Sequence, residues 1–155
     1  MLKLRKNKKG FTLVELIVVI AIMAILAGTI AGVTVSQLNK SKNDTAASDI
    51  KNLLNEFETF LASYDTSSIK DVATAKTAIG AFNDEKKASK GLSADILTEK
   101  TAGATGFKAG ENKYGYIVEV TAGTADKGTT IKLTIWCDKV GSTGATPTGT
   151  RTYEI

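Results

Sequence analysis

A chain of 155 residues has room for one modest domain, and 43% hydrophobic with 23% charged side chains is the balance of a folded body. Histidine is absent and Cys137 is the single cysteine, which excludes an intramolecular disulfide and removes the commonest general base and metal ligand. The net charge of +4 misleads, because Lys3, Arg5, Lys6, Lys8 and Lys9 all lie in the first ten residues; the rest carries 15 basic against 16 acidic side chains, which argues against a nucleic-acid-binding body.

Residues 1–10 form a short basic leader without an acid, and residues 11–35 follow as 25 positions with one charge, Glu15. As a helix this run extends about 37 Å, slightly more than the roughly 30 Å hydrocarbon core of a bilayer. The five leader bases predict a cytoplasmic N-terminus and an extracytoplasmic body, by the positive-inside rule. A secretory signal peptide fits poorly, since the run exceeds the usual apolar length and no A-x-A site closes it. A plain membrane anchor satisfies hydropathy equally well. Glu15 separates the readings. An acid in a membrane helix costs roughly 2.5–3.5 kcal/mol at mid-bilayer and less towards the edge, so it is expected to meet a cation. Cleavage between Gly10 and Phe11 would create an amine at Phe11, four residues or about one turn from Glu15.

The stretch Lys8-Lys9-Gly10-Phe11-Thr12-Leu13-Val14-Glu15-Leu16 resembles the class III leader of type IV prepilins, in which a short basic leader and a glycine precede Phe-Thr-Leu-x-Glu. The resemblance implies a pilin fold and a structural, non-enzymatic subunit that needs no cofactor. It implies a prepilin peptidase that cuts after Gly10 and N-methylates Phe11. Glu15 would pair with the terminal amine of a neighbouring subunit and set the register of assembly. The implied partners are further copies of the chain through residues 11–35, the peptidase, a cytoplasmic assembly ATPase and a membrane platform protein. The implied course runs from a single-pass membrane precursor to an extracellular pilus on the bacterial surface, serving adhesion, motility or uptake. A type II secretion pseudopilin, a minor pilin and a competence pilin share this leader, and a membrane-anchored binding module that never polymerises is the rival outside that class. Many such pilins carry a proline where this chain has Gly32. Gly28 and Gly32 make a GxxxG spacing, extended upstream by Ala24, which suits close helix packing or local melting.

No Gly or Pro interrupts residues 36–63, and Ile50, Leu53, Leu54, Phe57, Phe60, Leu61 and Tyr64 recur at helical spacing. One helix is therefore expected from Phe11 to about Tyr64, with residues 36–64 as its amphipathic half and a total length near 80 Å. Residues 65–155 form the expected head. Ser68 and Asp71 suggest a cap for a short helix through Val72, Ala75, Ile79 and Phe82, and Asp84–Lys87 reads as a solvated face. Leu92, Ile96 and Leu97 suggest a further helical turn.

Beyond Gly106 the period becomes two. Tyr114, Tyr116, Val118 and Val120 alternate with Gly115, Ile117, Glu119 and Thr121, and Ile131, Leu133, Ile135 and Cys137 share one face opposite Trp136. Residues 122–128 suit a hairpin, and residues 151–155 a last strand after the Gly/Ser/Thr-rich stretch 140–150. The predicted class is α+β: a long N-terminal helix against a C-terminal antiparallel sheet of at least three strands. Asp126-Lys127-Gly128 reads as a turn rather than a calcium loop, since calcium takes 6–8 oxygens. Cys137 reads as a buried small hydrophobe, and Trp136 either as a surface anchor or as packing under a loop. Asn39-Lys40-Ser41 and Asn43-Asp44-Thr45 match the N-glycosylation pattern, to which little weight is attached.

Overall fold

The computed structural model describes residues 10–100, 106–107, 113–124, 127–141 and 145–155. Helix α1 runs from Leu13 to Ser63, close to the expected bounds, because no residue in that span breaks the backbone ladder. The chain divides into two compact units, residues 1–37 and residues 38–155.

In the first unit the helix buries nothing. Its large apolar side chains run from 46% exposed at Val19 to 92% at Phe11 just before the helix. Two threonine hydroxyls on this surface are satisfied within the helix: Thr29 Oγ1 donates to Leu26 O (2.9 Å) and Thr34 Oγ1 to Ile30 O (2.8 Å), which lowers the cost of placing them in an apolar medium.

In the second unit the predicted stripe of α1 is the base of the core. Ile50, Leu53, Leu54, Phe57 and Leu61 are buried, with Phe60 and Tyr64 partly covered at the edge. Phe57 is the hub, meeting Phe82 and Tyr153 edge-to-face at 5.3 Å each. After α1 the Asp65 side chain caps a single 3-10 turn at Thr66–Ser68. Helix α2, Val72–Lys90, then begins at Asp71, whose carboxylate accepts from Thr74 N while the Thr74 hydroxyl accepts from Asp71 N. This capping box replaces the expected Ser68–Asp71 pairing and holds the exposed Asp71 carboxyl below its ordinary range, chiefly through the Thr74 backbone bond.

Helix α2 is longer than the expected short helix because nothing stops it before Gly91, which ends it in the left-handed region at φ 63°. It absorbs Asp84–Lys87, and the charges there are not merely solvated. Lys86 Nζ lies 3.2 Å from Glu56 of α1, and Lys87 bridges Asp84 and Asp95 at 2.8 Å each.

A four-stranded sheet follows, in the order β1 (Leu97–Glu99), β2 (Tyr114–Thr121), β3 (Thr130–Trp136) and β4 (Thr148–Glu154). The antiparallel expectation holds for β2, β3 and β4 but not for the whole sheet, since β1 pairs parallel to β2 and makes the sheet mixed. The expected helical turn at Leu92, Ile96 and Leu97 is thus corrected: Gly91 turns the chain, and Leu97 enters the sheet opposite Tyr114. That partner is remote in sequence, so the local pattern could not reveal it.

The free edge of β1 is covered by α2. Leu97 N donates to Asn83 Oδ1 (3.0 Å) and Asn83 Nδ2 donates to Leu97 O (2.7 Å), with Asn83 buried. Asn83→Ala leaves two buried backbone groups without partners, a cost of about 2–4 kcal/mol. Chemical denaturation followed by tryptophan fluorescence is expected to show a lower midpoint with an unchanged slope.

Strand β4 begins at Thr148, three residues early, because Gly149 lets the strand approach α1: a Cβ there would stand 2.8 Å from Ile50 and 3.0 Å from Leu54. Trp136 packs rather than protrudes. It lies over Gly115, where a Cβ would meet Trp136 at 3.0 Å and Phe107 at 3.1 Å. Asn43 is buried, accepts from Val140 N (2.8 Å) and donates to Val140 O (3.2 Å), so its amide holds a loop instead of presenting a glycosylation acceptor. Cys137 is buried as expected, and burial first, with Asp138 and Asp49 nearby, pushes its thiol up to about 11.

Candidate processing and assembly site

The chemistry-bearing residues of the first unit gather where α1 starts. Gly10 and Phe11 are exposed and lie outside the helix. Thr12 is the residue just before it, and Glu15 is the third helical residue. Thr12 N and Thr12 Oγ1 both donate to Glu15 Oε2 at 2.8 Å, while Glu15 N donates to Thr12 Oγ1 at 3.2 Å. This is a capping box, with an acid placed on the positive end of the helix dipole. Because the cap sets where the helix begins, Gly10 and Phe11 stay in non-helical backbone.

Thr12 is thus a further residue of the site, beyond the role of Glu15 as partner to an amine. The signal was present: Thr12-Leu13-Val14-Glu15 has the capping spacing [S/T]-x-x-[D/E]. Both donated bonds fall on Oε2, which leaves Oε1 pointing to no described donor in the chain. Gly28 and Gly32 lie further along the same exposed helix. A Cβ at either would meet nothing within 4 Å, and neither has a positive φ, so nothing inside the single chain requires glycine there.

No cluster of three or more His, Cys, Asp or Glu side chains occurs among the described residues. Of the candidate calcium turn, Asp126 lies outside the described residues, while Lys127 closes the β2–β3 connection through a bridge to Thr124.

An exposed Gly–Phe pair, a Thr–Glu cap and a helix whose first half is exposed on every side are the features expected of a prepilin-type leader. Residues 5–31 match the prokaryotic N-terminal methylation motif, the class III leader of type IV pilins. The match ends at Ala31, so the head is characterised by its own residues. No curated protein and no solved structure is significantly similar to the chain. Helix α1 is also long and apolar enough to cross a membrane, with a span near the N-terminus of which no part is buried.

Proposed function

We propose that this chain is the structural subunit of a type IV pilus-type filament, cut after Gly10, methylated at Phe11 and polymerised through residues 11–35. The observation that carries the reading is the fully exposed apolar half of α1 opening on a capped Glu15, directly after the exposed Gly10–Phe11 bond.

Before assembly that helix sits in the bilayer as a single pass, with the basic leader inside and residues 38–155 outside. In a filament it exchanges lipid for a bundle of identical helices, which keeps its backbone bonds internal. Gly28 and Gly32 give the neighbouring helices close approach, which explains glycines that the single chain does not need. Glu15 Oε1 accepts from the methylated amine of an adjacent Phe11. Its Oε2 stays engaged with Thr12, so the carboxylate is oriented before its partner arrives. The head coats the fibre. The prepilin peptidase, an assembly ATPase and a platform protein are the partners this course requires.

Intact-mass and N-terminal peptide analysis of protein sheared from cells tests the proposal. A chain beginning at N-methylated Phe11 is expected. A chain beginning at Met1, or cut beyond the apolar run, would overturn it.

A further inference from the structure

The two edges of the sheet are treated differently. At β1 the outward N–H and C=O of Leu97 are capped by the buried Asn83 amide. At β4 no described residue provides such a cover. Ile155 N donates to Thr129 O (2.9 Å) and Cys137 N to Pro147 O (3.1 Å), which sets the parity of the β3–β4 ladder. Gly149, Arg151 and Tyr153 therefore pair with β3, and Thr148, Thr150, Thr152 and Glu154 turn their N–H and C=O groups outward.

No hydrogen bond from a described residue reaches those outward groups, and the four side chains are exposed. Of the usual guards of an edge, the strand has only two charges, Arg151 turned inward and Glu154 at its end. Strand β4 has no proline, no lysine and no bulge against β3, and three of its four outward residues are β-branched threonines.

We propose that the β4 edge pairs antiparallel with the β4 edge of a second copy of this chain, joining two heads through one continuous sheet. The strand is self-complementary about its midpoint, Arg151. In the register that overlaps all of it, Thr150 faces Thr152 of the second copy and Thr148 faces Glu154, so no like charges meet on the outer face. The two Arg151 side chains meet on the inner face, but each is already held by Asn55 and by Glu58 (2.7 Å), so on that face the junction brings together equal numbers of opposite charges. A second copy is also the partner at hand. This inference rests on the filament reading, in which heads are displayed at high local concentration. A two-fold pair reverses the direction of its members, so it joins heads of adjoining filaments and not successive subunits of one.

Disulfide trapping tests the pairing in cells. Chains carrying Thr150→Cys and Thr152→Cys are co-expressed. In the proposed register these positions face one another at about 5.5 Å between Cα atoms, within disulfide reach. Cys137 stays silent because it is buried. A covalent dimer of twice the chain mass is expected from the co-expressed pair and not from either chain alone. Adding Glu154→Pro to both chains removes an outward N–H that β3 does not use, and is expected to lower the dimer about tenfold with thermal unfolding unchanged.

Absence of the dimer, a product joined to a different protein, or a dimer indifferent to Glu154→Pro would overturn the inference. N-terminal mass is read on the same sample. Methylated Phe11 without dimer sinks the pairing and leaves the filament reading intact, whereas dimer on an uncut chain does the reverse.

Discussion

Replacing Glu15 by Ala is expected to leave leader cleavage in place and to reduce filament yield on the order of a hundredfold. The physical reason is a difference between two environments. In the bilayer the Glu15 carboxylate has only Thr12 for company, and an acid there costs roughly 2.5–3.5 kcal/mol at mid-membrane. In the proposed filament it gains a cation, and its charge becomes favourable. Removing the charge therefore relieves the membrane-bound monomer and withdraws an attraction from the polymer, so both changes move the equilibrium towards monomer. At about 1.4 kcal/mol per tenfold, a difference of this size corresponds to about two orders of magnitude.

Glu15→Gln separates pairing from capping. The amide oxygen can still accept from Thr12 N and Oγ1 and keep the helix start in place, yet it offers no charge to an amine. Yield is measured as sheared surface protein against total protein, with N-terminal mass as the check on processing. If Glu15→Gln assembles normally while Glu15→Ala does not, the cap is the function of Glu15 and the pairing is excluded.

Replacing Phe57 by Ala is expected to cost the head about 3–5 kcal/mol, a large share of the 5–15 kcal/mol that stabilises an ordinary domain. Phe57 is fully buried, and its ring meets Phe82 of α2 and Tyr153 of β4 at 5.3 Å each, besides stacking near Phe60 at 6.0 Å. It therefore ties both helices to the far strand of the sheet. Tyr153 is itself anchored, its hydroxyl donating to Leu54 O at 2.8 Å, and burial pushes its phenol above the usual range.

Thermal unfolding of the full chain in detergent, followed by near-ultraviolet dichroism, is expected to show a transition lowered by well over ten degrees. Phe57→Leu, which keeps most of the volume, should cost clearly less. Helicity of residues 13–37 should persist through that transition in both variants, because the first unit makes no use of the core. A melt for Phe57→Ala that coincides with the parent would mean the hub is elsewhere.

What the sequence determined by itself was what local chemistry can encode. The basic leader, the 25-residue apolar run and the Gly-Phe-Thr-Leu-x-Glu order are contiguous, and the exposed helix at residues 13–37 follows from them without any tertiary contact. The stripe from Ile50 to Leu61 and the alternation through Ile131, Leu133 and Ile135 were equally legible, because each is a periodicity within a single element. The Thr12–Glu15 cap is encoded there too, as the spacing [S/T]-x-x-[D/E].

Tertiary structure alone decided the rest, wherever a residue's role depends on a remote partner. Leu97 looks helical beside Leu92 and Ile96 but becomes a parallel strand because Asn83 takes both of its backbone groups and Tyr114 N donates to the adjoining Ile96 O. Thr148 and Gly149 resemble loop, yet they are strand, because Gly149 alone admits the approach of Ile50 and Leu54. Asn43 matches a modification pattern but is claimed by Val140, 97 residues away. The open edge of β4 belongs to this second group. Which backbone groups face outward is set by the pairing of one strand with the next, and no spacing of side chains along the chain carries that parity.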